Sequence, residues 1–129
     1  MATQLLDETL NAAATRFAAK LAVEPGIAGI SIQVTPDGAG LTTLPHTANR
    51  PRLRLFTSNF DLGAVTPAII EGQLFGLALG VVEVPLRTGD DVLYSHAETL
   101  VTGEYLYAIL ETPVDLGGDV DVEVTVALL

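Results

Sequence analysis

The chain has 129 residues, 49% hydrophobic and 17% charged, with sixteen acidic residues against six lysines and arginines and a net charge of −10. One domain with a sizeable core is expected, and so acidic a chain repels phosphate, which argues against nucleic acid and anionic membranes as general partners. The absence of cysteine excludes a disulfide framework, a thiolate metal site and a cysteine nucleophile.

The first predicted element is a helix over 3–22. Leu6, Leu10, Ala13, Phe17 and Leu21 recur at three- and four-residue steps and make one apolar stripe. Thr3 is placed to cap it. Asp7 and Glu8 lie near its start and Arg16 and Lys20 toward its end, as a helix dipole prefers. Pro25 and Gly26 stop it. The same opening stretch puts acids before any apolar run, unlike a cleaved signal peptide.

Beyond the helix the period changes to two, and 27–129 reads as a β domain. Ile30, Ile32 and Val34 alternate along a strand, and Pro36, Asp37 and Gly38 read as the turn that ends it. Residues 35–51, which include His46, show no periodicity. A loop of that length in a compact domain is usually functional or an arm onto a partner. A strand follows at 52–57, with Leu53 and Leu55 on one face and Arg52, Arg54 and Phe56 on the other.

Segment 68–86 admits two readings. Gly72, Gly76 and Gly80 fall four apart, which suits a helix ridge or one face of a strand. Three interior glycines would cost a helix about 1 kcal/mol each, so strand is preferred. Its most apolar part, 74–82, is far shorter than the ~20 residues of a membrane-spanning helix. Further strands are predicted at 92–101 and 104–111, joined as a hairpin at Gly103. Tyr105, Tyr107 and Ile109 alternate there with Leu106, Ala108 and Leu110, so both faces are apolar, as in a central or interface strand. A last strand follows the turn at 113–118. The expected fold is mainly β: a sandwich or barrel of about six to eight strands with one N-terminal α-helix.

Candidate chemistry is sparse. Ser95 and His96 are neighbours on a strand and point to opposite faces, so they form no dyad. His46 and His96 lack the HxH or HxxxH spacing of a metal pair. Asp90 and Asp91 read as a turn and strand start. No phosphate-binding glycine loop occurs. Asp119, Asp121 and Glu123 alternate with Val120, Val122 and Val124. Same-face positions on an extended strand lie about 7 Å apart, too far for all three acids to clasp one calcium ion unaided. No cofactor, metal or catalytic residue is assigned, and the chain is expected not to be an enzyme. Arg50, Arg52 and Arg54 repeat at the same period of two. An acidic and a basic ladder of equal length are expected to pair, within one subunit or, preferably, between two. Those six residues are the candidate interface.

The layout resembles that of small virion structural proteins of tailed bacteriophages, capsid decoration and tail-associated proteins in particular. The features carrying the resemblance are the expected alanine-rich N-terminal helix, "RLRLFTSN" as a first long strand, glycine-rich β segments and a closing strand of the "GGDVDVEVTVALL" kind. The resemblance is one of style and transfers no residue role. It implies a non-enzymatic homo-oligomer that stabilises a larger particle, partnered by itself and by a major capsid or other virion protein. It also implies assembly in a host cytoplasm and residence in the virion. A β-sandwich module for a ligand or carbohydrate is the alternative; its weakness is the lack of tryptophan and the 5% aromatic content, since sugar sites use ring faces. A small barrel enzyme would need His46 or His96 in a pocket with carboxylates.

Overall fold

The computed structural model describes residues 2–11, 15–22, 29–37, 51–74, 78–83, 92–97, 105–112 and 119–128. Among them are eight strands and one helix: β1 Ala2–Leu10, β2 Thr15–Ala22, β3 Gly29–Asp37, β4 Arg52–Ser58, α1 Pro67–Leu74, β5 Ala78–Glu83, β6 Val92–Ala97, β7 Tyr105–Thr112 and β8 Val120–Leu128. They form two four-stranded sheets, the first ordered β1-β8-β3-β6 and the second β2-β7-β4-β5. Every described pairing is antiparallel. The first strand pairs with the last, the second with the second-last, the third with the third-last, and the fourth with the fifth. The chain is thus one long hairpin, turned at α1 and rolled up so that its arms alternate between two sheets. This is the connectivity of a jelly roll, a double Greek key.

Period-two alternation builds the shared interior. On β8, Val120, Val122, Val124 and Val126 are buried while Asp119, Asp121 and Glu123 are exposed. Those valines join Leu6 and Leu10 of β1 and Ile32 of β3. Against them lie Leu53 and Leu55 of β4 and Leu106, Ala108 and Leu110 of β7, in one cluster spanning both sheets. Among the described residues this cluster is mainly aliphatic, with Phe17 packed at its side.

The N-terminal helix predicted over 3–22 is not present; β1 and β2 occupy the described parts of that range. A four-residue step fits a helical stripe and also one face of a strand. Leu6 and Leu10 face the core from β1, and Phe17 and Leu21, with Ala19 between them, pack on it from β2. Ala13 is the stripe member that only a helix would align with Leu6 and Leu10, and 12–14 lies outside the described residues. Arg16 and Lys20, read as helix-end charges, instead stand on the outer face of the second sheet.

Three further expectations change. Segment 68–86, preferred as strand, begins as helix: α1 ends at Leu74 and β5 starts at Ala78. Thr66 caps α1. Its Oγ1 accepts the Ile69 N–H at 3.2 Å and its carbonyl accepts the Ile70 N–H at 3.0 Å, with Pro67 at the first helical position, where a missing N–H costs nothing. Gly72 is exposed on that helix, so the glycine spacing was no ridge. The strands predicted at 92–101 and 104–111 do not form a hairpin, because β6 lies in the first sheet and β7 in the second. Pro36 and Asp37 of the turn predicted at 36–38 are strand, since β3 runs to Asp37, and Gly38 lies outside the described residues. Pro36 is tolerated there because the β6 ladder ends at Val34 and Val92, leaving β8 alone beside it. The described remainder of 35–51 is Pro51; His46 and Arg50 lie outside the described residues.

Candidate interaction surfaces

Sequence spacing and strand register together build an ionic cluster on the outer face of the second sheet. Glu111 lies on β7, with Arg16 of β2 directly opposite on one side and Arg52 of β4 directly opposite on the other. Its side chain is only 11% exposed. Arg52 Nε donates to Glu111 Oε1 at 2.7 Å, Arg54 Nε stands 3.1 Å from the same oxygen, and Arg16 Nε lies 3.4 Å from Oε2. Above them, Glu71 of α1 takes Nη2 of Arg54 at 2.7 Å and Nη2 of Arg16. Three cations thus share two carboxylates, and the helix is tied to strands on both sides of β7. The Nε–H groups of Arg16 and Arg54 are buried and make no hydrogen bond, so Glu111 holds those two through charge and not through aligned hydrogen bonds.

Beside the cluster, a second apolar layer covers the same face. Phe56, Ile70, Leu74, Tyr107 and Ile109 are buried together, with Ala18, Leu62, Val65 and Tyr105 packed on them. This explains why β7 is apolar on both sides: it is central in its sheet, with the main core beneath and α1 above. Tyr107 pins the segment before the helix. Its hydroxyl donates to the Phe60 carbonyl at 2.9 Å and accepts the Leu62 N–H at 2.8 Å. Replacing Tyr107 with phenylalanine should lower the unfolding free energy by about 1–3 kcal/mol, because both backbone groups lose their partner; an unchanged urea midpoint would refute the clamp. Nearby, Lys20 Nζ donates to Asp61 at 2.7 Å and stands 5.5 Å above the Tyr105 ring. The hydrogen bond to Asp61 holds the Lys20 ammonium above its usual range, with desolvation opposing it.

The acidic ladder lies on the other sheet. Asp119, Asp121 and Glu123 are exposed, and Asp7 of β1 stands directly opposite Glu123. Asp37 of β3 occupies the position opposite Asp121. Asn11 donates to Asp119 at 2.6 Å, and Thr9 donates to Asp121. No lysine or arginine occurs in β1, β3, β6 or β8. Within one chain Arg52 and Arg54 do not meet the acids: the two arginines are on the outer face of the second sheet, and Asp119, Asp121 and Glu123 are on the outer face of the first; Arg50 lies outside the described residues. Among the described residues Glu71 and Glu111 form ion pairs with the arginines. Sequence reading missed both, because only the register puts Glu111 between two arginines and only the fold lays α1 across them. Among the described residues no group of three histidines, aspartates or glutamates is arranged to hold a metal ion.

Like charges directly opposite on neighbouring strands repel. Glu123→Lys should consequently raise stability by a few tenths up to about 1 kcal/mol, by placing a cation across from Asp7. The gain should shrink in ~1 M salt, where the screening length falls to about 3 Å. A loss of stability at low salt would contradict this picture of an uncompensated face.

No family model matches the chain, and no curated protein does. Among solved structures, the chain is similar to one in the cryo-EM atomic structure of Broad Bean Stain Virus. The identity is 8% and the TM-score 0.41, over 100% of this chain and 86% of that one. It is also similar to a chain of Bacillus endospore appendages, described as a novel family of disulfide-linked pili. There the identity is 14% and the TM-score 0.39, over 100% of this chain and 88% of that one.

Proposed function

We propose that this chain is a non-enzymatic structural protein that self-assembles and stabilises a larger particle, and that the particle is a phage virion in which it serves as a capsid decoration protein. The observation that carries the reading is where the chain spends its chemistry. Among the described residues the space between the sheets is filled mainly by aliphatic side chains, so the β-sandwich interior is a packed core and recognition is left to the outer faces. Those faces differ in kind. One carries exposed carboxylates with no described ion pair; the other is tied down by arginines and covered by a helix. Jelly rolls serve viral shells and lectins alike, and fold alone does not choose between them. The scarcity of aromatic residues (5%) weighs against the alternative, a carbohydrate- or ligand-binding module. The low charge content leaves an apolar excess that a subunit interface absorbs.

In this reading the partners are further copies of the chain and a major capsid or other virion protein, with no direct nucleic-acid contact. The acidic ladder of Asp119, Asp121 and Glu123 is the face assigned to positive charge on a neighbour. Sedimentation equilibrium of the purified chain tests the self-assembly: a species heavier than one 13.5 kDa chain is expected, and a monomer at every concentration would overturn it. Neighbouring genes for a portal and a major capsid protein would support the virion assignment, and a metabolic neighbourhood would count against it.

A further inference from the structure

The two flanks of the fold are not equally protected against strand pairing with another chain. An edge strand presents a row of unpaired backbone donors and acceptors, and proteins blunt such edges with charges, bulges or proline. At one flank lie β1 and β2, which touch each other. β1 is broken by a register shift between Gln4 and Leu6, and its Glu8 stands opposite the core residue Val122. A charge turned inward on an edge is one of those blunting devices. β2 carries Arg16 and Lys20. At the other flank lie β5 and β6, also in contact. β5 is Ala-Leu-Gly-Val-Val-Glu, with a single charge at its last residue, and β6 is Val-Leu-Tyr-Ser-His-Ala, with no acid, lysine or arginine. β5 has one strand neighbour, β4, among the described residues. Val81, at its middle, is 57% exposed.

We infer that the β5 edge is a homotypic interface, at which β5 of a second copy adds antiparallel and continues the second sheet across a two-fold axis near Val81. The occupant is a second copy because the edge complements itself. Antiparallel strands can pair about a two-fold axis with the same residues contributed from each side. With Val81 opposite Val81, Glu83 falls opposite Leu79 of the second copy, so no two carboxylates face one another. The contact covers the exposed valine and gives β5 a partner on the side away from β4, where the described residues provide none. It rests on the self-assembly reading above and specifies which surface performs it.

The chain has no cysteine, so a single substitution gives an unambiguous probe. Directly opposed residues of an antiparallel pair have Cα atoms about 4.5–5.5 Å apart, within disulfide range. Under mild oxidation the full chain carrying Val81→Cys should become mainly a covalent dimer on a denaturing, non-reducing gel, while Asp121→Cys, on the other sheet, should remain mainly single chains. Val81→Lys, which puts a charge at the edge, should reduce the assembled mass at least twofold while leaving the thermal midpoint of the subunit unchanged. If the unmodified chain assembles but Val81→Cys cross-links no more than Asp121→Cys, the β5 interface is wrong and self-assembly stands on another surface. If the unmodified chain is monomeric at every concentration, both readings fall. The cross-linking result decides even if Val81→Lys misfolds, since cysteine is a small, uncharged replacement for valine at an exposed site.

Discussion

Replacing Val122 with aspartate should leave no folded protein, whereas replacing it with alanine should cost about 2 kcal/mol, the transfer free energy of the lost methyl groups with a small cavity term. Val122 is fully buried in the layer shared by the two sheets. A carboxylate there would have no cationic partner, because the described arginines and the lysine stand on the outer face of the second sheet. Removing an unpaired ion from water costs several kcal/mol even after relaxation, and domains of this kind have only about 5–15 kcal/mol in total. One position earlier, Asp121 is exposed, and Asp121→Asn should change the unfolding free energy by less than about 1 kcal/mol, the scale of a surface hydrogen bond. Soluble yield, far-UV circular dichroism and a thermal melt distinguish these outcomes. A Val122→Asp protein melting near the parent temperature would mean that β8 is not in this register.

Glu111→Gln should cost about 2–3 kcal/mol, a large penalty for a change that keeps the shape of the side chain. The lower part of the range for breaking a buried ion pair applies, because the three arginines remain partly exposed and solvent screens them. The loss comes from what stays behind. Arg16, Arg52 and Arg54 would crowd one another, with Glu71 left to pair with Arg16 and Arg54, and the buried Nε–H groups of Arg16 and Arg54 would lose their compensating charge. Adding Arg52→Gln to Glu111→Gln should cost less than the two single effects combined, since it removes one of the uncompensated cations. Urea unfolding of the four proteins supplies the cycle. A single-variant loss under ~0.5 kcal/mol, the size of an ordinary surface change, would show that Glu111 is merely another surface acid.

The closing strand was legible from residues alone, because alternating valine and acid on 119–126 has one stable solution when one side of a strand is buried. The same holds for β4, where Leu53 and Leu55 go inward and Arg52 and Arg54 outward, and for β7, whose two apolar faces required cover on both sides. The N-terminal third was not legible. Leu6 and Leu10, and likewise Phe17 and Leu21, are four apart, a step shared by helix and strand, and alanine between the two pairs added helix propensity without deciding the matter. Propensity yields to tertiary contacts: β1 is held by the β8 ladder and β2 by the β7 ladder. The helix that does form was signalled by Thr66-Pro67, a cap followed by a first-turn proline, and was hidden by three regularly spaced glycines.

The ionic site shows the same division. Period two agrees with the outer-face places of Arg52 and Arg54 and of Asp119, Asp121 and Glu123; Arg50 lies outside the described residues. Matching their spacing then proposed a partnership that the fold does not make within the chain, because equal period says nothing about which strands are neighbours. By itself the sequence determined β4, β7 and β8 with their inward and outward faces, and an acidic character unsuited to phosphate, since these follow from local periodicity and net charge. Only the tertiary structure decided that the chain folds as one rolled hairpin, that Glu111 lies between Arg16 and Arg52, that Glu71 closes the cluster from above, and that β5 ends its sheet among the described strands. Those are matters of register between segments far apart in the chain, and register is set by how two buried faces fit together.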